Sequence, residues 1–109
     1  SETVSSEISV LGEGEIKFDF TVTDQDGNEN FFEIHTDKAT VGEALIELGL
    51  LEGEESEYGL YVKKVNGITA DYDTDGVYWA FYIDGEYAMS GVDSTKITDG
   101  SVYSFKVEK

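Results

Sequence analysis

The carboxylates at Asp71, Asp73 and Asp75 are the sharpest chemical signal in the 109-residue chain. They alternate along Asp71-Tyr72-Asp73-Thr74-Asp75-Gly76. A calcium loop begins this way, because alternate residues turn inward and the glycine permits the bend that gathers hard oxygen ligands. In that frame Trp79 and Tyr82 fall where the later ligands belong, and a strand follows in place of a second helix. The loop is therefore no EF-hand, and Asp93 or Asp99 would have to complete the shell. The expectation is weak binding of a divalent cation, calcium, with a dissociation constant on the order of 10⁻⁴–10⁻³ M. The competing reading is a solvated acidic connection between strands, with no cofactor at all.

A second candidate is aromatic. From Val77 to Ile83 the pattern puts Val77, Trp79, Phe81 and Ile83 on one face of a strand and Tyr78 and Tyr82 on the other. Two tyrosines displayed side by side can stack on a sugar or another flat ligand, or grip a protein partner. They can also serve only as cross-strand pairs that support a sheet. Tyr61, Tyr87 and Tyr103 add to the aromatic surface on offer.

Other groups are weaker. Asp24, Asp26, Asn28 and Asn30 are what a hairpin turn uses, and Glu52 to Glu57 reads as a solvated acidic loop. His35 is the one histidine and there is no cysteine, which removes the usual nitrogen and sulfur sites for transition metals. No Gly-x-Ser-x-Gly elbow is present. The expectation is a binding module that is not an enzyme.

Composition narrows the partners. Seven lysines, with no arginine, face 24 carboxylates, for a formal charge of −17. Nucleic acid and anionic membrane surfaces both need cations that this chain lacks. No segment approaches the ~18–20 apolar residues of a membrane-spanning helix. The 39% hydrophobic and 13% aromatic content argues against disorder and for one folded domain. Strong net charge favours a monomer. The partner expected is a divalent cation, a small ligand or another surface protein. The chain starts at Ser1 without Met, so a mature form with its signal removed is expected.

Positioning falls to short elements. Residues 1–14 read as a flexible tether, with Ile8 and Val10 pairing weakly at a sheet edge, and 15–109 as the domain. Glu15 to Thr23 and Glu29 to Thr36 alternate as a hairpin. Thr40-Val41-Gly42-Glu43 is a capping box, and Val41, Ala44, Leu45 and Leu48 form one apolar stripe of a short helix. Leu50 to Tyr58 reads as a loop. Strands follow at Gly59 to Val65, Val77 to Ile83 and Ser101 to Glu108, with type I′ turns at Asn66-Gly67 and Asp84-Gly85. This order predicts an α+β, β-grasp-like fold: a mixed sheet of about five strands with one helix packed across it.

Several of these landmarks recur together: Thr40-Val41-Gly42-Glu43-Ala44-Leu45, Val65-Asn66-Gly67, Tyr78-Trp79-Ala80-Phe81-Tyr82-Ile83-Asp84-Gly85-Glu86, Gly91-Val92 and Thr98-Asp99-Gly100. The pattern resembles the transcobalamin-like C-terminal domain family over roughly Glu15 to Val107. The resemblance implies a β-grasp-like fold and a non-enzymatic role in a secreted or lipid-anchored bacterial surface protein. In the vitamin B12 carriers such a module closes over a corrin held by a separate helical barrel, and that barrel is missing here. Asp84 stands where the family usually has Asn, and Ser101 where it usually has Asp, so no ligand contacts carry over.

Overall fold

The structure is a computed structural model and describes residues 8–57, 59–88 and 91–109. Nine strands and two short helices alternate along the described residues. They are β1 (Ile8–Gly12), β2 (Ile16–Thr23), β3 (Glu29–Thr36), α1 (Val41–Glu47), β4 (Leu51–Ser56), β5 (Gly59–Val65), β6 (Ile68–Thr69), α2 (Tyr72–Asp75), β7 (Tyr78–Ile83), β8 (Glu86–Tyr87) and β9 (Val102–Glu108). A 3₁₀ turn covers Val92–Ser94.

The main sheet has six strands in the order β1-β3-β2-β9-β7-β8, against an expectation of about five. The first seven residues of the expected tether lie outside the described residues, whereas Ile8–Gly12 pairs in parallel with β3 and adds the sixth strand. β9 lies parallel to β2 and antiparallel to β7, so the chain's last strand sits at the centre. A second sheet of β4, β5 and β6 departs from the loop that the run of glutamates predicts at Leu50 to Tyr58. Its acidic side chains point to water while the backbone pairs with β5, and a bulge between Glu52 and Gly53 shifts the register.

One face of the main sheet builds the core. Phe18, Phe20 and Val22 from β2, Ile34 from β3, Trp79 and Phe81 from β7, and Tyr103 and Phe105 from β9 are buried there. The rings pack edge-on and stacked, with Phe81 4.9 Å from Phe105 and Phe18 5.3 Å from Tyr103. Val41, Ala44 and Leu45 of α1 join this core, as the stripe required. The Trp79 indole N–H donates to the carbonyl of Ile68 at 3.1 Å and fastens the small sheet to the large one.

Local chemistry explains the boundaries. Thr40 caps α1 by accepting from the Glu43 amide at 3.2 Å, and its hydroxyl donates to the Glu43 carboxylate at 3.1 Å. That carboxylate meets the hydroxyl of the cap and not its amide, a variation on the expected capping box. Asn66 and Asp84 adopt positive φ of 51° and 50°, each followed by a glycine also at positive φ, as type I′ turns demand.

Candidate functional site

The opposite face of the main sheet carries polar, aromatic and a few apolar side chains, exposed or half-buried except for Ala80, which is buried between Tyr78 and Tyr82. The strand registers align one row across all six strands: Ile8, Phe31, Thr21, Ser104, Tyr82 and Tyr87. At roughly 4.8 Å between strands the row is about 24 Å wide. Its ends are apolar or aromatic and its middle is hydroxyl.

Tyr78 and Tyr82 lie on this open face as the alternation required, with Trp79 and Phe81 buried behind them. Tyr103, also named among the surface aromatics, is instead core: its hydroxyl accepts from the Thr98 amide at 2.9 Å and the residue is 1% exposed. The structure adds two residues to the tyrosine pair. Tyr87 stands opposite Tyr82 across the Asp84-Gly85 turn, with the rings edge-to-face at 5.7 Å. Glu108 stands opposite Tyr78 on β9 and accepts the hydrogen bond of the Tyr82 hydroxyl. That bond to a carboxylate pushes the Tyr82 phenol up to about 12. A hydrogen bond with Tyr87 raises the Tyr78 phenol as well. The three rings are thus braced by one another and by Glu108.

Tyr87 was within reach of the sequence. A two-residue turn at Asp84-Gly85 fixes Ile83 opposite Glu86 and hence Tyr82 opposite Tyr87. Glu108 was not, because its placement depends on the register between two strands far apart in sequence.

Beside Tyr82 the open face holds a cleft of about 500 Å³. Thr21, Thr23, Ser104 and Lys106 line it from β2 and β9, Glu29 from β3, and Gly27 and Gly85 from the two neighbouring turns. Further along the face, Glu33 accepts from His35 Nε2 at 2.7 Å and sits 3.7 Å from the Lys17 ammonium. These contacts, His35 first, hold the Glu33 carboxyl below its usual range.

The acidic candidate takes a different form from the expected loop. Asp71 is the N-cap of α2, accepting from the Asp73 amide at 3.1 Å, and the Asp71 amide donates to an Asp75 carboxylate oxygen at 3.4 Å. Gly76 ends the turn at φ 69°. Two of the three carboxylates are therefore turned onto the backbone of their own helical turn, where an alternating loop would have pointed all three at one centre. Asp99, a candidate closing ligand, accepts from the Lys17 amide at 2.9 Å. Among the described residues no three acidic or histidine side chains are gathered as a metal would require.

Comparisons with known proteins fit this architecture. Over 87% of its length the chain is similar to a "putative metal binding protein" from Ruminococcus gnavus, with 34% identity, a TM-score of 0.82 and 98% of that chain covered. It is also similar in fold to haptocorrin, solved in complex with Cbi, at a TM-score of 0.70 and 18% identity over 86% of this chain. Only 25% of the haptocorrin chain is covered, so the similarity is to one part of that protein. No curated protein matches the chain. Residues 38–109 match the domain of unknown function DUF4430, from α1 through the tyrosine-bearing β7 to the end of β9. The chain belongs to the DUF4430 family.

Proposed function

We propose that this chain is a non-enzymatic binding module that holds a small ligand on the open face of its main sheet, around Tyr78, Tyr82 and Tyr87. The observation that carries the proposal is the bracing of three tyrosines by each other and by Glu108, beside Thr21, Ser104 and Lys106, which are exposed or half-buried on the same face. Rings fixed before binding lose little conformational freedom on contact, which favours recognition of a flat or ring-shaped ligand. The fold is read as β-grasp-like, from the hairpin β2–β3, the crossing helix α1 and the parallel strand β9. The similarity to haptocorrin in its Cbi complex supports a corrinoid-like ligand as one member of this class. The family resemblance supports a secreted or lipid-anchored bacterial setting. Amide chemical-shift mapping with Cbi and with other ring-shaped probes tests the site. Saturable shifts at Tyr78, Tyr82 and Tyr87 are expected, and their loss in a folded Tyr78→Ala/Tyr82→Ala variant. Undiminished binding by that variant refutes the site.

A second reading is divalent cation binding at Asp71, Asp73 and Asp75. It is favoured by the name of the Ruminococcus gnavus relative. α2 would have to open so that the carboxylates now capping its backbone turn toward the ion. Calorimetry and thermal melting with calcium and with EDTA test it. Heat and a raised Tm are expected if calcium binds there, and their absence at millimolar calcium removes the reading.

A further inference from the structure

We propose that the cleft beside Tyr82 takes a neutral pyranose sugar; this deepens the open-face reading and rests on it. Three observations point to that chemistry. The wall is the Tyr82 ring, fixed edge-to-face by Tyr87 and tethered by its hydroxyl to Glu108. A held aromatic face suits the C–H side of a sugar ring.

The floor is made of hydroxyls. Thr21 and Ser104 are direct partners across β2 and β9, and Ser104 is the direct partner of Tyr82. Thr23 sits next to Lys106 in the same registers. The side chains of Thr21, Thr23 and Ser104 make no hydrogen bond to another described residue. Their donors and acceptors remain available on a sheet that fixes their spacing. A purely apolar ligand would bury them unpaired, which costs free energy; a polyol satisfies them.

Charge selects further. The cleft has one cation, Lys106, and one anion, Glu29, so it is locally balanced within a chain of charge −17. The field of the whole chain opposes phosphate and carboxylate ligands, and no arginine is present to clamp them. A neutral ligand escapes that repulsion while using Lys106 as donor and Glu29 as acceptor. Gly27 and Gly85 occupy the adjoining turns at φ 88° and 86° with open space at their missing Cβ positions, so no side chain from them closes the mouth.

The test is amide NMR titration of the chain with glucose, galactose, N-acetylglucosamine and their short β-linked oligomers, with galacturonate as the charged control and Cbi as the non-sugar probe. Saturable shifts at Thr21, Ser104, Tyr82 and Lys106 are expected with at least one neutral sugar. Oligomers binding more tightly than single rings would identify a glycan chain as the source; equal binding would identify the free sugar. Tyr82→Ala should weaken binding about tenfold. Ser104→Val and Lys106→Ala, which keep strand-compatible side chains, test the cleft should Tyr82→Ala fail to fold. Tyr72→Ala, at an exposed position on α2, should change nothing. Galacturonate binding as well as the neutral sugars overturns the proposal, as does undiminished sugar binding by the folded cleft variants. Silence to every sugar with Cbi shifts at Tyr78 and Tyr87 overturns the sugar and leaves the open-face reading standing. Silence to all probes removes both.

Discussion

The Tyr82 hydroxyl donates to Glu108 along a diagonal of the sheet, since Tyr82 faces Ser104 directly and Glu108 faces Tyr78. This bond links the C-terminal end of β7 to that of β9 and fixes the ring that walls the cleft. Loss of the phenolic proton would set phenolate against carboxylate. The Tyr82 pKa is accordingly raised from 10.0 to about 12. A raised folded pKa means that the contribution to stability is complete below pH 10 and is lost as pH climbs from there through about 12. Ring-carbon NMR through an alkaline titration should find Tyr82 ionising late, and Glu108→Gln should bring it back toward the ordinary tyrosine range. Ionisation of Tyr82 at an ordinary pH in the unmutated chain would contradict the bond.

At the acid end, Asp24 accepts from the amides of Asn28 and Asp26 within the β2–β3 turn, each at 2.9 Å. These bonds, the Asn28 amide first, lower its pKa from 3.8. A lowered folded pKa stabilises above the unfolded value and is lost as pH falls through the folded one. Acid melts of the wild type should therefore lose stability below about pH 4. Asp24→Ala should start from a lower Tm at neutral pH and show a shallower acid loss.

Gly42 lies in the helix where alanine is ordinarily the better residue by about 1 kcal/mol. Here a Cβ would come within 2.8 Å of the Asp93 Cα and 3.1 Å of the Val92 carbonyl. Those are backbone atoms of the 3₁₀ turn and cannot swing aside. Gly42→Ala should cost about 1–3 kcal/mol in overpacking, more than the propensity gain, and lower the Tm. A raised Tm would show that the helix and the turn can separate freely.

Asp71 distinguishes capping from coordination. Asp71→Ala should destabilise the chain by roughly 1 kcal/mol even in EDTA, because the Asp73 amide loses its acceptor. Asp71→Asn retains a capping oxygen and should hold its Tm in EDTA. If calcium binds at this turn, the asparagine variant should lose the calcium-dependent rise in Tm that the wild type shows.

The legible parts of the molecule were those written locally. Thr40 and Glu43 announced the start of α1, and Asn66-Gly67 and Asp84-Gly85 announced two turns by the positive φ they require. Alternation separated Trp79 and Phe81 from Tyr78 and Tyr82. Illegible parts were set by distant pairing. Glu52 to Glu55 reads as loop by composition, yet β5 supplies a partner and makes it a strand. Edge pairing of Ile8 and Val10 was legible from their alternation, but its partner, β3, and its parallel sense were not. Asp71 to Asp75 carry the spacing of a cation loop, but a side chain that can cap a helical turn competes with that geometry, and here capping wins. The row Thr21–Ser104–Tyr82 exists only once β9 has inserted between β2 and β7.

The central claim is that a ligand docks on the tyrosine face of the main sheet. Its most direct measurement is amide chemical-shift mapping of the wild-type chain and of Tyr78→Ala/Tyr82→Ala with Cbi and the neutral sugars. The expected result is a saturable set of shifts at Tyr78, Tyr82, Tyr87 and Ser104 in the wild type, abolished in the folded double variant. Shifts confined to Asp71–Gly76 in both proteins, or no shift at the tyrosines with any probe, would contradict it.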